Sequence, residues 1–137
     1  MKRIGVIICL ALLLFACNKN QKVVKTLDGK WDATSYTVSE DGLSLDFIQF
    51  GFNVQMDFEN CKLKDQETCG IDLSITNFDG KTDYVGNYKV TNEGRSLHIV
   101  DNSSAPIVYT IVELSKTYLE LKGAIDGNTV EIKLTKI

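Results

Sequence analysis

Phe52-Asn53-Val54-Gln55-Met56-Asp57-Phe58-Glu59 is the stretch on which the fold turns. Its apolar residues stand at every second position and its polar residues fill the gaps. A strand sends successive side chains to opposite faces, so one face is oily and the other wet. A helix would need apolar spacings of three and four. The same alternation recurs downstream in Ile71, Leu73 and Ile75, in Leu119 and Leu121, and in Val130, Ile132 and Leu134. Eight segments follow this rule, over 29–38, 50–60, 69–78, 83–91, 95–101, 106–114, 117–124 and 128–136. Between the later ones lie Asp79-Gly80, Asn92-Glu93-Gly94, Ser115-Lys116 and Asp126-Gly127-Asn128, residues suited to tight hairpin turns. Short links force sequential neighbours to pair antiparallel. The expected fold is therefore all-β, an eight-stranded antiparallel up-and-down β-barrel, because closure removes exposed strand edges.

Two places break the pattern. Ile107 to Val112 is apolar on both faces, which fits either a strand covered from outside or an exposed patch used for association. Asp41 to Phe50 carries Leu43, Leu45, Phe47, Ile48 and Phe50 in a segment too long for a tight hairpin. It reads as a plug completing the core or as a lid over the barrel mouth. The single proline, Pro106, falls at the start of a strand, where its missing N–H matters least.

At the amino terminus Lys2 and Arg3 precede the apolar run Ile4 to Phe15. This is a charged region followed by a hydrophobic one, shorter than the roughly 20 residues that cross a bilayer. Leu14-Phe15-Ala16-Cys17 resembles a lipobox, which implies cleavage before Cys17 and acylation of its thiol. Two or three acyl chains anchor stably where one would not. The chain is thus expected to comprise a signal peptide helix at 1–16, a polar tether at 17–26 and a barrel domain at 27–137. Asn18 follows the cysteine, not the aspartate that in some bacteria signals inner-membrane retention. The expected address is the cell envelope, in the outer membrane facing the periplasm.

Loss of Lys2 and Arg3 with the signal takes the formal charge from −3 to −5. The remaining basic residues are dispersed, which argues against a nucleic-acid partner. Cys61 and Cys69 are the two cysteines left to the domain, and outside the cytoplasm an even pair suggests a disulfide. A metal is not expected, because zinc wants three or four converging ligands and the one histidine, His98, is far from both cysteines.

Leu27-Asp28-Gly29-Lys30-Trp31 resembles the Gly-x-Trp signature that opens the first strand of lipocalins and of the lipocalin-like domain lipoproteins of Bacteroidetes-type bacteria. Gly29 lets the chain turn into the strand without a Cβ clash, and Trp31 closes one barrel end while its N–H seeks an acceptor. The resemblance implies a small apolar ligand bound inside the barrel. Two features depart from the lipocalin pattern. Thr82-Asp83-Tyr84 precedes the fourth strand and not the seventh, and no arginine follows the last strand to cover Trp31.

No catalytic constellation is visible, so the chain does not read as an enzyme and no cofactor is expected. A nucleophilic triad needs a base beside the nucleophile, and His98 stands on the outward parity of Leu97-His98-Ile99. The acids occupy the solvated parity of their strands. In the first functional reading Phe52, Val54, Met56 and Phe58, facing Tyr88, Leu97, Ile99 and Leu121, line a lumen reached past Phe47 and Phe50. Alternatively the core is filled solid, since eight strands enclose little more than their own side chains. The barrel would then be an envelope protein-interaction or inhibitor module, working through Ile107 to Val112 or the loops.

Overall fold

The computed structural model describes residues 18–101 and 105–137. The signal peptide over 1–16 and Cys17 lie outside the described residues. A helix, α1 (Asn18–Leu27), leads into β1 (Gly29–Glu40), β2 (Leu43–Asp46), β3 (Asn53–Phe58), β4 (Cys69–Asn77), β5 (Gly80–Thr91), β6 (Ser96–Asp101), β7 (Ile107–Leu114), β8 (Tyr118–Ile125) and β9 (Asn128–Lys136). From β3 to β9 each strand pairs antiparallel with the next. β3 pairs with the first part of β1, and β9 pairs along most of β1 to close the sheet. Eight strands form the barrel, as the alternation predicts.

The ninth, β2, was expected as a plug or lid and is instead the return strand of a hairpin on the distal part of β1, with Val38 opposite Leu45 and Glu40 opposite Leu43. Its period-two run is only four residues, too short to separate from a loop by pattern alone. An Asp41-Gly42 turn with positive φ at both residues joins it to β1, the backbone that twists correctly for a two-residue hairpin.

The stretch read as a tether is, from Asn18 onward, a helix. Val24 and Leu27, three residues apart on one helix face, are fully buried against the barrel end. The polar side chains also hold it. Gln21 Nε2 donates to Cys61 O at 2.8 Å while its Oε1 accepts from Leu63 N at 2.8 Å, and Asn20 Oδ1 accepts from Gly94 N at 2.7 Å. Two apolar positions carry no readable period, and the rest of the docking is hydrogen bonding that only the folded partner reveals.

Two bulges re-aim side chains. One, between Ala33 and Ser35 in the β1–β9 ladder, moves the inward positions of β1 from Trp31 and Ala33 to Tyr36 and Val38. The other, between Ile111 and Glu113 in the β7–β8 ladder, sets the exposed Val112 and Glu113 side by side and returns Leu114 inward, whereas the two-faced run from Ile107 to Val112 is plain alternation with valines on the outer face. Tyr109 is buried and Ile111 partly so, while Val108 and Val112 are exposed and uncovered.

Candidate functional site

The two ends of the barrel differ. At the α1 end Trp31, Phe58, Ile71, Tyr88, Leu97, Leu119, Leu121 and Leu134 are all buried to within 2%. Phe58 and Tyr88 pack edge to face with centroids 5.1 Å apart, and the Tyr88 hydroxyl donates to Glu59 O at 2.8 Å. Burial, reinforced by Asp28 and Glu59, pushes the Tyr88 phenol well above its ordinary range.

Gly29, with φ 109°, turns the chain into β1, and Trp31 Nε1 donates to Leu27 O, the end of α1, at 2.6 Å. Where an arginine was missed, Lys136 of β9 serves. Its Nζ lies 5.2 Å from the Trp31 ring centre and donates to Thr26 O at 3.2 Å. A cation is thereby placed on both an aromatic face and a helix carboxyl end. The Cys61–Cys69 disulfide closes the loop beneath α1. This end is solid.

The opposite end is not. Tyr36 and Phe47 stand 5.8 Å apart, Phe47 and Phe52 5.2 Å, and Phe52 and Phe78 5.9 Å, an aromatic row from the barrel wall to the rim. Leu45, opposite the inward Val38, and Leu43, opposite Glu40, take the lumen side of the β1–β2 hairpin. Yet Leu43 is 77% exposed and Leu45 54%. They border a recess of about 470 Å³ lined by Val38, Glu40, Asp41, Leu43, Leu45, Phe47 and Asn128.

Below this level Tyr109 faces inward from β7, its ring lying over Gly123 of β8. A Cβ at Gly123 would come within 2.8 Å of Tyr109 Cδ1 and 3.0 Å of Val108 O, so the missing side chain is what seats the ring. Burial, and then the nearby Tyr36, pushes the Tyr109 phenol up to about 12, and burial raises Tyr36 too.

The expected lining residues therefore divide. Met56, Phe58, Tyr88 and Ile99 belong to the packed interior, Val54 is also buried, and Phe47 and Phe52 reach the open end. Phe50 is 55% exposed on the rim and does not line the recess. Val38, Leu43 and Leu45 replace the deeper residues as its apolar wall. Their signal was the Val38–Leu45 register, visible only once the hairpin is known. His98 points outward, with Nε2 2.9 Å from Thr91 Oγ1. Among the described residues no group of three or more His, Cys, Asp or Glu could hold a metal.

Eight strands closed on themselves, with a helix across one end and a recess at the other, define an up-and-down β-barrel. The sequence model of a family described as a lipocalin-like domain matches residues 27–121, and the chain belongs to that family. No curated protein matches the chain significantly. Among solved structures it is similar to a redesigned β-barrel at 19% identity and TM-score 0.58, covering 84% of this chain and 95% of that one. It is also similar to the siderocalin Ex-FABP at 11% identity and TM-score 0.55, covering 81% and 73%. Bovine odorant binding protein, solved with a selenium-containing odorant, aligns at 15% identity and TM-score 0.51, covering 81% and 73%.

Proposed function

We propose that this protein is an envelope lipoprotein, anchored by acyl chains on Cys17, whose barrel binds a small apolar molecule at its open end and catalyses no reaction. The observation that carries the binding reading is the exposed Leu43–Leu45 pair on the lumen side of the β1–β2 hairpin, around an unfilled recess. Large apolar side chains held open to water on a concave wall are unfavourable at roughly 25 cal/mol per Å², and an occupant relieves that cost. The recess lies within the roughly 300–1,000 Å³ of ordinary small-molecule sites. The lipocalin-like family and the odorant-binding neighbour support the same reading.

The anchor gives this site a direction. Cys17 is bonded to Asn18, the first residue of α1, and Lys19 Nζ pairs with Glu93 at 3.2 Å on the closed end. Acylation at Cys17 would therefore hold the closed end at the bilayer, with exposed Lys22, Lys25, Lys62 and Lys64 near the lipid surface and the mouth pointing away. The outer membrane, facing the periplasm, is the proposed location.

The test titrates the neutral fluorophore Nile red against residues 18–137, which contain every buried core residue among those described. A single saturable site is expected, weakened about tenfold or more by Leu45→Asp and unaffected by Val108→Asp on the outer face. Absence of saturable binding, or equal loss in both variants, overturns the reading. Incorporation of labelled palmitate, abolished by Cys17→Ala, checks the anchor.

A further inference from the structure

Charge around the recess is one-sided. Glu40 and Asp41 form its edge together with Asn128, and among the described residues neither carboxylate is in an ion pair. The other turns at this end add Asp79 and Asp126. Lys81, the basic residue on these turns, is already engaged by Asp83 at 3.2 Å. Below the rim no buried residue is charged among those described, and the phenols of Tyr36 and Tyr109, neutral at their ordinary values, are raised further by burial. A carboxylate-headed amphiphile would bring its charge to an acidic edge with no cation to receive it. An ammonium-headed one would meet two carboxylates at the rim and, just inside, the ring of Phe47.

Resting on the apolar site proposed above, we infer that the recess selects amphiphiles bearing a positive charge. The apolar body lies against Val38, Leu43, Leu45 and Phe47, and the cationic head sits at Glu40 and Asp41. The β1–β2 hairpin supplies both halves of this recognition. Glu40 and Leu43 are cross-strand partners, so the head and tail contacts are fixed relative to each other by one register.

The test holds the tail constant and changes only the head. Dodecylammonium, dodecanol and dodecanoate, each at monomeric concentration, compete with Nile red for residues 18–137. Dodecylammonium is expected to bind about tenfold more tightly than dodecanol, and dodecanoate more weakly than either, from two partly solvated carboxylates at contact distance. The spread should shrink as salt rises to about 0.5 M. The double substitution Glu40→Gln, Asp41→Asn should erase the ammonium preference, so that dodecylammonium and dodecanol compete alike. Dodecanol binding without the charge order overturns this inference alone, as does a preference that survives the double substitution. Failure of all three ligands to compete overturns the apolar site beneath it.

Discussion

Trp31 joins three parts of the molecule. Its ring lies in the core, its N–H ends α1, and Lys136 from the last strand covers its face. Replacing it with phenylalanine keeps most of the apolar surface but leaves the Leu27 carbonyl without its donor in a buried setting. That omission costs about 1–3 kcal/mol. Trp31→Phe should therefore lower urea-unfolding stability by that amount, and Lys136→Met by less, since its cation sits at the edge of the core. A Trp31→Phe protein as stable as the parent would show that the indole N–H has no structural role. The Gly29-x-Trp31 pair could be read from sequence because its chemistry is local. Lys136 could not, because a lysine in an alternating strand reads as solvated until the strand is known to close on β1.

Among elements, the β1–β2 hairpin matters most to the site, and a single carboxylate holds its far end. Asp46 Oδ1 accepts from Tyr36 N at 3.0 Å and from Ile48 N at 3.1 Å. Burial pushes this carboxyl up, but hydrogen bonds from the Tyr36 backbone, the Ser35 side chain and the Ile48 backbone outweigh it, and the net shift is downward. A carboxyl whose folded value lies below its unfolded value contributes fully above the unfolded value, about 4. The contribution is lost as pH falls through the folded value.

Amide-exchange protection of Tyr36 and Ile48 should accordingly hold at neutral pH and decline below about pH 4. In Asp46→Ala it should be low throughout. Protection that persists unchanged to pH 2.5 in the parent would refute the assignment. β2 and α1 are the two elements the pattern misjudged, for the same reason. A four-residue strand and a helix with two buried positions are both shorter than the window over which hydrophobic period rises above chance, and both are held by contacts to distant partners.

At the scale of the whole molecule, the barrel depends on one non-local pairing. Every strand neighbour from β3 to β9 is adjacent in sequence, whereas β1 and β9 meet across most of the chain. A chain ending at Gly127, lacking β9, would leave β1 and β8 with unpaired edges and would remove the buried Val130, Ile132 and Leu134. It should fail to unfold cooperatively and should self-associate through those edges. Sedimentation together with urea unfolding checks this, and a monomer with a sharp transition would contradict it. The same closure separates a basic end bearing α1 from an acidic mouth, an arrangement invisible in a sequence whose charges look evenly scattered.

By itself the sequence determined the eight barrel strands, most of their turns, the single core and the pairing of Cys61 with Cys69, because period-two burial and turn chemistry act between residues close along the chain. Only the tertiary structure decided which part of the interior stays open. The bulge in β1 switches which residues point inward, and Gly123 makes room for Tyr109. The β1–β2 register turns two leucines and two acids toward one recess. Each of these depends on where a partner strand lies, and no local pattern carries that information.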